Sequence, residues 1–150
     1  MGVRSRTASG IAALALAAGL LAVPSPANAA AGCYGSGNPI MLSCNGREPT
    51  SYGCDADAVT LVEVDYWGTV ALRYSRACHA AWARWTNHSP SGVVATVRIE
   101  GSANTYETHT AGYGYEVKWT RMVSFSQYVR ACLLKKAPTG DIYKECTPYR

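Results

Sequence analysis

Phenylalanine occurs once in this 150-residue chain, histidine three times, and the basic residues form a single adjacent pair, Lys135-Lys136. Each scarcity excludes something. A nucleic-acid binder neutralises phosphates with a dense basic face, and scattered residues summing to a formal charge of +4 do not build one. No G-x-S-x-G or H-E-x-x-H pattern is present, so neither a serine-hydrolase elbow nor a zinc-hydrolase helix is encoded. A triad assembled from distant residues still needs a histidine beside a nucleophile and an orienting acid. His79 follows Cys78 and reads as a turn residue, while His88 and His109 stand in polar stretches expected to be loops. Catalytic residues, metal ligands and cofactors are therefore all expected to be none. Asp55-x-Asp57 and Glu63-x-Asp65 lack the Gly-containing acidic loop that gathers oxygens around calcium. Asp55 and Asp57 read better as turn and cap residues.

Long apolar runs are almost absent too. The one that exists, Ile11 to Val23, spans 13 residues, too few to cross ~30 Å of hydrocarbon as a helix. Arg4 and Arg6 precede it, Pro24-Ser25-Pro26 breaks it, and Ala27-Asn28-Ala29 supplies an A-x-A cleavage site. A signal peptide over 1–29 is expected, with a mature chain starting at Ala30, secreted to the extracellular space and without a membrane span. All six cysteines (Cys33, Cys44, Cys54, Cys78, Cys132 and Cys146) lie downstream of it. An even number in a small exported domain reads as disulfides. Connectivity is open. Proximity favours Cys44–Cys54, with Cys78–Cys132 and Cys33–Cys146 the next choices. Residues 30–43 are Gly/Ala/Ser/Asn-rich and read as a flexible arm whose apolar cluster is Ile40, Met41 and Leu42. Residues 44–150 read as one domain.

What the chain does have is tyrosine and tryptophan, ten and four. Such residues suit a β core with polar tips at its edge, or a recognition surface. Alternation marks the strands. In Val59 to Tyr66, Val62, Val64 and Tyr66 share one face; in Val70 to Tyr74, Val70, Leu72 and Tyr74 do. A hairpin turning at Trp67-Gly68-Thr69 would set Tyr66 opposite Val70, Val64 opposite Leu72, Val62 opposite Tyr74 and Glu63 opposite Arg73. Period-two runs recur at Val93 to Ile99, Tyr115 to Trp119 and Val129 to Leu133. A turn is expected at Arg76 to His79, followed by a strand from Ala81. The fold class expected is all-β: a small disulfide-stabilised sandwich, jelly roll or barrel.

The string Leu72-Arg73-Tyr74-Ser75-Arg76-Ala77-Cys78-His79-Ala80-Ala81-Trp82-Ala83-Arg84 is distinctive. With Cys44-Asn45-Gly46-Arg47-Glu48-Pro49, Gly53-Cys54-Asp55-Ala56-Asp57-Ala58, Met122-Val123 and Val129-Arg130-Ala131-Cys132, it resembles the YjfA-like family of small secreted, mainly actinobacterial proteins of unknown function. The sequence departs from that pattern in the ten residues between Cys33 and Cys44, and in Cys146 and the tail beyond Pro138. The resemblance implies a compact β fold without a catalytic constellation. It also implies an adaptor role in secreted antibacterial toxin particles used in bacterial competition, joining a lectin-like subunit to a repeat-array subunit.

Arg76 and Arg84 have no local acidic partner, and with Trp82 and Trp85 they have the composition of an interface hot spot. The expected function is a secreted, non-catalytic binding or adaptor protein in an extracellular assembly. Its binding residues are expected among Ile40, Met41, Leu42, Arg76, Trp82, Arg84 and Trp85. The rival expectations are a secreted protease inhibitor and a small cell-wall hydrolase.

Overall fold

The computed structural model describes residues 44–150. The expected signal peptide, the arm with Ile40, Met41 and Leu42, and Cys33 lie outside the described residues. After a 3-10 turn at Thr50–Tyr52, nine strands follow: β1 (Val59–Asp65), β2 (Thr69–Ser75), β3 (Ala80–Asn87), β4 (Thr96–Gly101), β5 (Thr105–His109), β6 (Glu116–Trp119), β7 (Val123–Ser124), β8 (Val129–Lys136) and β9 (Ile142–Cys146). They form two antiparallel sheets. The first has the order β1-β2-β3-β6 with β7 also on β3, and the second has the order β5-β4-β8-β9. The all-β expectation holds.

Alternation puts one face of each sheet into a shared core. Val70 and Leu72 of β2, with Ala81, Ala83 and Trp85 of β3, meet Val97 and Ile99 of β4 and Val129, Ala131 and Leu133 of β8. Val93 and Ala95 continue the β4 pattern inward ahead of the strand itself. A smaller cluster lies on the opposite side of the first sheet. There the Cys44–Ala58 segment folds over Ala80 and Trp82, with Met122 beneath it. Backbone bonds fasten the segment, Gly46 donating to Met122 and Met122 to Arg47, both at 2.9 Å.

The β1–β2 hairpin forms, but two residues away from the expected register. Val64 pairs with Val70, Val62 with Leu72 and Val59 with Tyr74, with a bulge between Thr60 and Val62. The loop is Tyr66-Trp67-Gly68 rather than Trp67-Gly68-Thr69. A two-residue slip keeps every side chain on its face, so alternation alone could not choose between the registers. The loop chooses. Trp67 and Gly68 take φ of 52° and 118°, and a Cβ on Gly68 would fall 2.4 Å from the Thr86 carbonyl oxygen. Gly68 lets the loop fold down on β3, where the Trp67 carbonyl accepts a bond from the Trp85 indole at 3.1 Å. Glu63 consequently faces Ala71, and the expected Glu63–Arg73 pair does not exist.

The cysteine pairings also differ from expectation. Cys54 bonds Cys78 and Cys132 bonds Cys146. Cys44 is disulfide-bonded as well, to a partner outside the described residues, so Cys44–Cys54, Cys78–Cys132 and Cys33–Cys146 are all replaced. The Cys54–Cys78 bridge pins the N-terminal segment to the β2–β3 turn. Cys132–Cys146 joins directly opposed residues of β8 and β9. Loops of 24 and 14 residues correspond to about 3 kcal/mol each in the chain-entropy picture.

The turn at Arg76 to His79 and the strand after it are as read, with β3 beginning at Ala80. Asp57 acts as a turn-holding residue, accepting bonds from the Ser75 hydroxyl and, at 2.8 Å, the Ala77 amide. Burial pushes its carboxyl up, but these bonds outweigh that and lower its pKa overall. His109 is a correction: it closes β5 rather than sitting in a loop, within 3.0 Å of the Thr96 hydroxyl.

Candidate binding face

β3 pairs with β6 so that Arg84 meets Trp119, Trp85 meets Lys118, Thr86 meets Val117 and Asn87 meets Glu116. Trp85 points into the core with no exposed surface. Lys118 and Glu116 therefore lie on the core-facing side of β6, where they pair with each other at 3.1 Å and Glu116 also accepts the Ala111 amide. The apolar residues of the strand point the other way. Val117 and Trp119 are 40% and 37% exposed, and Tyr113 and Tyr115, in the irregular segment leading into β6, are 80% and 73% exposed. An edge strand of a sandwich ordinarily turns its apolar side inward. This one is inside out.

The stripe borders a hollow on the outer face of the first sheet. Trp82 forms its floor, Val117 and Trp119 one wall, and Pro49, Thr50 and Asp55 the other, enclosing about 270 Å³. Two guanidiniums enter it, those of Arg73 and Arg84. They are diagonal neighbours, since Arg73 pairs with Trp82 and Ala71 with Arg84. A second, shallower hollow of about 320 Å³ adjoins it between Thr60, Glu63, Thr69 and His88, and Arg84 lines both.

The two arginines are held differently. Arg73 donates to the Thr60 hydroxyl at 2.7 Å and the Ala58 carbonyl at 2.8 Å. Burial first, and then the like charge of Arg84, lower its pKa from the usual arginine value. Arg84 makes no hydrogen bond or ion pair among the described residues. The outer face of the second sheet is the contrast. There Glu100 takes Arg130 at 2.7 Å, Lys144 at 2.6 Å and Arg98 at 3.3 Å, while Arg98 also pairs with Glu107. Burial pushes the Glu100 carboxyl up, but bonds from Lys144, Arg130 and Arg98 prevail and hold its pKa at about 2.

Of the residues expected to bind, the structure brings Trp82 and Arg84 together on this face. Trp85 is turned into the core, with no surface left for a partner to touch. Arg76 is exposed in the β2–β3 turn, away from the residues that line the hollow. Arg73, Val117 and Trp119 were missed. For Arg73 the expected Glu63 partner hid the signal. For Val117 and Trp119 the sequence pattern was seen, but its apolar side was assumed to face the core.

Hydrolytic residue types do meet at one point. Thr69 donates its hydroxyl proton to Asp65 at 2.9 Å, and His88 Nε2 lies 2.9 Å from the same oxygen. With the single proton given to Asp65, His88 must donate rather than accept, which is the reverse of a base activating a nucleophile. Glu100 lies close to the sulfurs of Cys132 and Cys146. Those sulfurs are bonded to each other and offer no thiolate to a metal ion.

These features define a small disulfide-bonded β-sandwich with an aromatic and arginine-bearing outer face. Residues 42–132 match the family described as a protein of unknown function (DUF2690), and the chain belongs to that family. No curated protein and no solved structure matches it.

Proposed function

We propose that this is a secreted, non-catalytic binding protein that serves as an adaptor in an extracellular assembly, through the outer face of its first sheet. The inside-out edge strand carries the reading. Val117 and Trp119 do nothing for the core from where they point, Tyr113 and Tyr115 stand exposed just ahead of them, and exposed Tyr, Trp and Arg are the residue types that anchor protein interfaces. Asn87 holds the stripe in place. Its side-chain amide donates to the carbonyls of Ser91 and Gly114 at 2.8 and 2.5 Å, so the surface is organised before any partner arrives. The signal-like segment 1–29 and the bonded cysteines support export.

A YjfA-like affiliation, with a place in an antibacterial toxin particle beside lectin-like and repeat-array subunits, is the specific form of this proposal. The arm, with Ile40, Met41 and Leu42, is proposed as a second contact that docks in a partner's groove or on a sheet edge. The test is recovery of the native secreted protein under mild conditions, with mass spectrometry of bound proteins. Larger secreted subunits in fixed ratio are expected. A protein that elutes alone, or that instead titrates a protease, would end the adaptor reading.

A further inference from the structure

The outward cations of the two sheets are treated differently. On the second sheet Arg98, Arg130 and Lys144 are all claimed by carboxylates. On the first sheet, Arg84 is half-buried and makes no bond to anything among the described residues, and Arg73 is answered only by the neutral oxygens of Thr60 and Ala58. Asp55 lines the same hollow and Glu63 the next one, yet neither forms an ion pair with either arginine. Two like charges set side by side over a tryptophan floor weaken the fold. They become favourable when an anion enters between them.

We infer that Arg73 and Arg84 form a carboxylate clamp: the hollow receives an acidic side chain from an extended segment of a partner protein, whose alternate apolar side chains lie along Trp119 and Val117. The planar guanidinium fork fits a carboxylate in two parallel bonds, and exclusion of water by Trp82 and Trp119 strengthens them. A polyanion such as nucleic acid fits worse, because Asp55 and Glu63 on the margins would repel its further charges. An extended chain matches the stripe, since alternate side chains on both strands repeat about every 7 Å. This rests on the preceding proposal only in taking a protein as the source of the carboxylate.

The test uses the disulfide-bonded protein labelled with ¹⁵N and a blocked pentapeptide, Leu-Ser-Glu-Ser-Leu, in which the Glu and both Leu share one face of an extended chain, against its Gln isostere, glucuronate and inorganic phosphate. The readouts are the Arg73 and Arg84 Nε–H and the Trp82 and Trp119 indole resonances. Saturable shifts with the Glu peptide are expected, with binding at least about tenfold weaker for the Gln peptide and for Arg84→Gln, the loss of one charge-assisted contact. Equal binding of the Gln peptide, or undiminished binding by Arg84→Gln, would overturn the clamp. Tighter binding of glucuronate or phosphate would overturn the peptide source. Peptide binding without any recoverable partner would sink the adaptor proposal and leave the clamp standing. A recovered partner indifferent to Arg84→Gln would do the reverse.

Discussion

Two valines separate the surface that folds this protein from the surface left over. Val97 lies between the sheets with no exposed area, while Val117 points outward from β6 and is 40% exposed. Valine and threonine are nearly isosteric, so a Val→Thr change alters polarity and almost nothing else. At position 97 a hydroxyl would enter a neighbourhood of Trp85, Ala131 and Leu133 and cost about 1–3 kcal/mol. At position 117 the hydroxyl stays in water and threonine keeps its strand preference, so the cost should be within about 0.5 kcal/mol. Each kcal/mol moves the midpoint of a domain this size by about 4–8 °C. Non-reducing urea and thermal unfolding, followed by near-ultraviolet circular dichroism, would measure both. Equal losses would mean that the stripe is part of a core, and the inside-out assignment of β6 would be wrong.

Further outcomes follow from single contacts. Glu100 has a native pKa of about 2 against a usual 4.5, so its stabilisation is complete above about pH 4.5 and is lost as pH falls toward 2. Glu100→Gln should therefore destabilise by about 1–3 kcal/mol at neutral pH, with the difference from wild type vanishing in acid titrations near pH 2; a pH-independent difference would remove the charge argument. Gly68→Ala should cost about 1–3 kcal/mol in urea unfolding, because the added methyl meets the Thr86 carbonyl and Trp85 indole at positive φ; a neutral result would contradict the loop's packing. Non-reducing digestion should yield peptides linked through Cys54–Cys78 and through Cys132–Cys146, and a Cys44–Cys54 peptide would contradict the structure.

How far the sequence could be read depended on which physical signal each element carries. β2, β3, β4 and β8 alternate buried apolar with outward residues and were legible for that reason. β5 and β9 were not, because neither carries a buried apolar face. Thr105–His109 never reaches full burial and Ile142–Cys146 is exposed over most of its length, so neither needs an apolar face. The hairpin was legible to within its two-residue ambiguity, which only the Gly68 loop resolves. Disulfide partners depend on which chain ends the topology brings together, and no local pattern encodes that. Arg84 was legible as an arginine without a local acidic partner and makes no bond or ion pair among the described residues. Trp85 and Trp82 could not be told apart from composition, since neighbouring positions of similar size go to opposite faces once β3 is placed between β2 and β6.

The central claim is that the outer face of the first sheet exists to bind another protein. Its most direct test is a side-by-side recovery of native wild type and of an Arg84→Gln, Trp119→Ala double variant shown to retain its disulfides and its unfolding midpoint. Wild type should retain its secreted protein partner, and the variant should lose most of it. Equal retention of the same partner by both proteins would contradict the claim.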